Sequence, residues 1–208
     1  MSTQAKHRYT LEGYLALESK SEVNYEYWDG EIFAMSGGTL PHDLVMGNSY
    51  DLLRRELHGR DCQVLTNKMQ IMVPAAPPYR YADVSVVCGE IEVERFNGAD
   101  LLVNPILILE VLSPSTEAYD RGDKFTYYKS IPDFREYLLI AQHRPHVTHY
   151  VKSENGKWDY EEVNDIEGSI HLPCIDCALS LRELYRGVEF PADSTDRSPL
   201  GNLSPIND

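Results

Sequence analysis

Tyr81-Ala-Asp83-Val-Ser-Val-Val-Cys88 and, after a polar interval, Ile106-Leu-Ile-Leu-Glu110-Val-Leu112 are the two stretches on which the fold turns. Both are short apolar runs rich in branched side chains, the composition of strands at the centre of a sheet. Each carries one carboxylate, Asp83 at the start of the first and Glu110 inside the second. A carboxylate in such a strand is costly to bury unless it is paired or bound to a metal. Downstream, Asp120, Lys124 and Tyr128 stand at i, i+4 and i+8, so a helix there presents all three on one face. Two strand carboxylates and a helix-borne lysine are the parts of a metal-assisted phosphodiester hydrolase, with the main-chain carbonyl of Val111 as a natural third ligand. The plainer reading pairs Asp83 and Glu110 with arginines and makes Asp120–Lys124 an exposed ion pair. Spacing alone leaves both open.

Working outward, Thr10 caps a short helix with Leu11, Tyr14 and Leu15 inside, and Asn24–Trp28 and Glu31–Met35 flank Asp29-Gly30 as a hairpin. Ser36-Gly-Gly-Thr39 breaks the second strand. Pro41 then opens a helix whose stripe is Val45, Met46, Ser49, Leu52, Leu53 and Leu57. Gln63–Leu65 and Met69–Val73 read as another strand pair, and the polar segment from Gly89 to Asn104 as a loop. Ser115 or Thr116 caps a helix that runs to about Ser130, before Pro132. Glu136–Ala141 is a further strand, His146–Val151 and Trp158–Val163 an outer hairpin, and Ser180-Leu-Arg-Glu183 a capping box. The fold class is α+β or mixed α/β: a central mixed sheet flanked by helices, with an added outer hairpin. One domain is expected over 1–190, and the Ser-, Pro- and Asp-rich segment 191–208 reads as a disordered tail.

The chain of 208 residues is 42% apolar, enough for a substantial core, and its net charge of −14 argues against a general nucleic-acid binder. The segments Glu12–Glu31 and Glu154–Glu167 each hold six acids and one lysine, so much of the excess is local. Arg54, Arg55, Arg60, Lys68, Arg80, Arg121, Lys124, Lys129 and Arg135 between them leave room for a basic face. The N-terminus lacks a signal-peptide core, and no apolar run approaches the roughly 18 residues of a membrane span. Cys62, Cys88, Cys174 and Cys177 read as reduced packing residues of a cytoplasmic protein. Cys174-Ile-Asp-Cys177 has the spacing of half a zinc site without a second pair. His143, His146 and His149 do not share one strand face and are discounted as ligands.

Taken together, Tyr25-Glu26-Tyr-Trp-Asp29-Gly30-Glu31, His42, Tyr81-Ala-Asp83, Ile108-Leu-Glu110-Val-Leu-Ser-Pro-Ser-Thr116, Asp120-Arg-Gly-Asp-Lys124 and Glu136-Tyr137 resemble a known family. It is the restriction-endonuclease-like family, much multiplied in cyanobacterial genomes, of the PD-(D/E)XK nuclease superfamily. The likeness spans about Tyr9 to Tyr185. It implies a restriction-endonuclease-like fold and a Mg²⁺- or Mn²⁺-dependent DNA endonuclease, with a homodimer expected for cutting both strands. Asp83 and Glu110 become the metal ligands, Glu26 the acid from the N-terminal part, and Lys124 the motif lysine; His42 and Asp120 are accessory. The sequence departs from the superfamily pattern twice. Ala82 replaces the proline before Asp83, and Leu112 stands where the lysine two residues after Glu110 is expected. That second departure keeps an alternative in play: a catalytically degenerate homodimer of nuclease fold that acts as a binding or scaffold protein.

Overall fold

A computed structural model describes residues 8–18, 20–21, 25–28, 30–34 and 38–190. Its first part runs α1 (Leu11–Glu18), β1 (Tyr25–Trp28), β2 (Glu31–Ala34), α2 (Leu40–Glu56), β3 (Cys62–Thr66), β4 (Gln70–Ile71) and β5 (Arg80–Tyr81). The middle is β6 (Val84–Cys88), β7 (Val93–Phe96), β8 (Ala99–Leu102) and β9 (Leu107–Leu112). Next come α3 (Glu117–Tyr119), a π-helical turn (Asp120–Lys124) and α4 (Phe125–Tyr128). The chain closes with β10 (Glu136–Ala141), β11 (Val147–Lys152), β12 (Trp158–Val163), β13 (Ser169–Leu172), β14 (Cys177–Ser180) and α5 (Leu181–Leu184). Asp29 of the expected hairpin turn, Met35–Gly37 after it, and the 191–208 tail lie outside the described residues.

Six strands in the order β12-β11-β10-β9-β6-β3 make the central mixed sheet. β9 and β10 are parallel and every other neighbouring pair is antiparallel. Every residue of β9 is buried because both faces are covered. Leu107, Leu109 and Val111 meet Val45, Leu52 and Leu53 of α2 in one apolar cluster. Ile108 and Leu112 meet Phe125, Tyr128, Phe134 and Tyr137 in another, under the helical segment that follows β9. The two most apolar stretches are therefore neighbours at the sheet centre, as expected, and no described helix is long and apolar enough to cross a membrane.

Several expectations need correction. Gly89–Asn104 is not a loop: β7 and β8 form a hairpin in a second sheet ordered β5-β4-β8-β7. Its turn is Asn97-Gly98, both at positive φ (48° and 85°), the geometry of a two-residue hairpin turn. β3 and β4 do not pair with each other; β3 lies on β6, whereas β4 lies between β5 and β8. The short hairpin β13–β14 was not foreseen. Neither Thr116 nor Ser180 caps its helix through its side chain, whereas the Thr39 hydroxyl does accept from the His42 N–H at the start of α2. Cys62 and Cys88 face each other across β3–β6 with Cα atoms 3.9 Å apart and form a disulfide. Only Cys174 and Cys177 are free among the described residues. Strand register, which spacing does not supply, put the first pair together, so the reading of Cys62 and Cys88 as reduced packing residues is corrected.

Candidate active site

Register also assembles the site. Val84 lies opposite Leu109 and Val86 opposite Leu107, so Asp83, one residue before β6, arrives beside Glu110. Asp83 Oδ2 accepts the Val111 N–H at 2.7 Å, which satisfies a main-chain donor where the β6–β9 ladder ends. Glu110 alternates onto the same sheet face as Ile108 and Leu112, toward the helical segment 117–128. From α4 the Tyr128 hydroxyl donates to Glu110 Oε1 at 3.0 Å, and Lys124 Nζ lies 2.9 Å from the same oxygen.

The lysine amine is shared further. It sits 3.5 Å from Asp120 Oδ1 and 3.6 Å from Glu26 Oε1, while Glu26 on β1 accepts the Tyr81 N–H at 3.0 Å. Asp120 and Lys124 bound the π turn rather than one regular α-helical turn. The buried Tyr137 hydroxyl donates to the Asp120 carbonyl at 3.1 Å and ties this irregular turn to β10. Such π insertions recur at functional sites because they re-aim side chains. Glu26, Asp83, Glu110, Asp120 and Lys124 are each at most 8% exposed, so three carboxylates meet one amine almost out of water, with Asp83 buried beside them.

The charges follow from that crowding. Burial pushes the Glu110 carboxyl well above its usual range, with Asp120 and Asp83 adding to the rise and Lys124 opposing it. Burial likewise raises Asp120 against the pull of Lys124. For Lys124 burial works downward, but Glu110, Glu26 and Asp120 outweigh it and hold the amine firmly cationic. His42 at the start of α2 points Nε2 at Asp83 Oδ2, 3.5 Å away. Burial would lower its pKa; the hydrogen bond and charge of Asp83, with a contact to the Val111 main chain, raise it instead. Gly38 lets the ring settle there, since a Cβ at Gly38 would come within 3.1 Å of His42 Nδ1.

Glu26, Asp83, Glu110, Asp120 and Lys124 thus converge, with His42 and the Val111 main chain on the Asp83 side. Leu112, in the place of the expected motif lysine, is buried in the apolar cluster beneath α4. Sequence reasoning missed the bond from Tyr128 to Glu110, although the i, i+4, i+8 spacing had put the ring on the right face. It counted Arg80 toward a possible basic face, whereas the residue is only 2% exposed, beside Tyr119. Two of the histidines discounted as ligands have other partners. His149 and Glu136, both fully buried, pair at 2.9 Å, and His146 meets Asn164. Among the described residues no three His, Cys, Asp or Glu side chains are arranged to hold a metal ion.

Comparison with known proteins agrees with this architecture. The profile of the family Uma2, described as "Putative restriction endonuclease", matches residues 11–182. An uncharacterized protein of Synechocystis sp. is 33% identical over 182 residues, covering 86% of this chain and 92% of its own length. A second from the same organism is 33% identical over 149 residues, 72% of this chain and 84% of its own. The crystal structure of a putative nuclease from Anabaena variabilis shares the fold, with a TM-score of 0.68 over 85% of this chain and 97% of its own at 17% identity.

Proposed function

Because the chain belongs to the Uma2 family of putative restriction endonucleases, we propose that it is a nuclease that uses Mg²⁺ or Mn²⁺ to hydrolyse phosphodiester bonds in DNA. The observation that carries this reading is the surplus of buried carboxylates: Glu26, Glu110 and Asp120 share a single lysine, and Asp83, beside Glu110, meets only the Val111 N–H and His42 among the described residues. A hard, oxygen-only donor set of this kind fits a small divalent cation. Asp83, Glu110 and the Val111 carbonyl would hold it, two side chains and one main-chain oxygen, with water completing the shell as Mg²⁺ prefers. Such an ion supplies charge neutralisation at the phosphate and acidifies water.

The chain's own groups do the rest. Lys124, held cationic by its carboxylates, is no proton acceptor; it offers hydrogen bonds to a water or phosphate oxygen and stabilises charge that builds there. Glu26 and Asp120 hold the amine, and Tyr128 fixes the orientation of Glu110. His42, the most exposed member, stands where a phosphate reaching Asp83 would meet it. Supercoiled plasmid incubated with the protein tests the reading: cleavage requires Mg²⁺ or Mn²⁺ and is lost in Asp83→Asn and Lys124→Met. Undiminished cleavage in EDTA, or full activity in both variants, refutes it.

A second reading, a binding or scaffold homodimer of nuclease fold, is favoured by one feature. The lysine amine already lies within 3.6 Å of three carboxylates, which leaves it little freedom to serve a substrate. That reading predicts DNA binding or self-association without turnover under any metal.

A further inference from the structure

Arg80 immediately precedes the Tyr81 whose N–H holds Glu26, and among the described residues its guanidinium has neutral partners. Nε donates to the Tyr119 hydroxyl at 3.0 Å, Nη1 to the Tyr79 carbonyl at 2.7 Å, and the group lies 5.8 Å over the Tyr127 ring. Among the described residues no carboxylate pairs with it. A guanidinium only 2% exposed is costly to bury without a counter-ion. It lines an open cavity of about 400 Å³ whose walls include Tyr27, Trp28, Pro77 and Tyr127, with the exposed Asp123 at its rim. That volume is within the range of small-molecule sites.

The cavity adjoins the carboxylate cluster. The ring of Tyr119, whose hydroxyl accepts the Arg80 hydrogen bond, is 6.0 Å from Lys124 Nζ and 4.9 Å from the Trp28 ring. Tyr119 therefore links the lysine to two residues of the cavity wall, Arg80 and Trp28. A buried cation with no anionic partner among the described residues asks for an anion, and aromatic walls ask for a planar group beside it.

We propose that this cavity is a subsite for one unpaired nucleotide of a DNA strand, its phosphate on Arg80 and its base against Tyr27, Trp28 and Tyr127. The choice of a nucleotide rests on the nuclease reading; the need for an anion beside an aromatic wall does not. A base seated there has left its partner strand, so the protein favours single strands and frayed ends over continuous duplex.

Fluorescence anisotropy of labelled (dT)12 and of a duplex of equal length, with the full chain in EDTA, tests this without any cleavage. The single strand binds at least about tenfold more tightly than the duplex, and Arg80→Met and Tyr127→Leu each weaken it by about tenfold or more. Asp123→Asn, an exposed change that leaves folding intact, tightens it by removing a negative charge from the rim. Equal affinity for strand and duplex, no binding of (dT)12, or an Asp123→Asn variant that binds no more tightly overturns the proposal. A protein that cleaves duplex DNA yet gives those results loses the subsite and keeps the nuclease reading. One that binds the strand as described but never cleaves keeps the subsite and loses the enzyme.

Discussion

Replacing Lys124 by methionine keeps the length of the side chain and removes the one amine among Glu26, Glu110 and Asp120. The nearest oxygen is 2.9 Å from Nζ and the others 3.5 and 3.6 Å. At an effective dielectric constant near 20, a unit-charge pair at such distances is worth about 5 kcal/mol before desolvation. Taking the ammonium out of water costs several kcal/mol in return, and breaking a buried pair from one side typically destabilises by about 3–5 kcal/mol. Lys124→Met should lose about that much, a large share of the roughly 5–15 kcal/mol that holds a domain together. Urea denaturation in EDTA, followed by tyrosine and tryptophan fluorescence and by far-UV circular dichroism, measures it. The double variant Lys124→Met/Glu110→Gln should recover part of the loss, because one of the stranded carboxylates is gone. A Lys124→Met protein within about 1 kcal/mol of wild type would refute the reasoning, since the amine would then not be neutralising the cluster.

Four further outcomes are expected. In the metal-free protein Glu110 has a raised folded pKa, so its contribution to stability is present at low pH and lost as pH rises through that value. Glu110→Gln therefore flattens the fall in stability that begins as pH rises above the ordinary carboxylate range. Tyr128→Phe, which deletes the hydroxyl bonded to Glu110 at 3.0 Å, should cost about 1–3 kcal/mol by the same denaturation assay. Iodoacetamide should leave the native protein almost untouched, because burial pushes the Cys177 thiol up to about 11 and Cys174 higher still. Mass spectrometry should find two modified cysteines after unfolding without reductant and four with it. Leu112→Lys, which restores the superfamily's usual lysine position, should destabilise by several kcal/mol in a thermal melt, because it buries an amine in an apolar cluster.

The central strands, the long helix α2 and the outer hairpin were legible because their periodicity and composition agree with their burial. Asp83 and Glu110 stood out by being charged in apolar runs, and their meeting followed once the two strands became antiparallel neighbours. What spacing could not supply was register between distant strands. The Cys62–Cys88 disulfide and the different partners of β3 and β4 both depend on it. The β7–β8 hairpin was masked by its polarity, since Val93, Glu94 and Arg95 lie exposed. Asn97-Gly98 was the signal that would have found it. The π turn left no mark in the sequence, for Asp120-Arg-Gly-Asp-Lys124 reads as ordinary helix.

Diffraction from crystals soaked in Mn²⁺ together with a short oligonucleotide, recorded at the manganese absorption edge, addresses the cation site itself. The account predicts an anomalous peak bound by Asp83, Glu110 and the Val111 carbonyl, absent in crystals of Asp83→Asn. A map with no peak there at saturating Mn²⁺, and the Lys124 amine still lodged among its three carboxylates beside bound DNA, would contradict it.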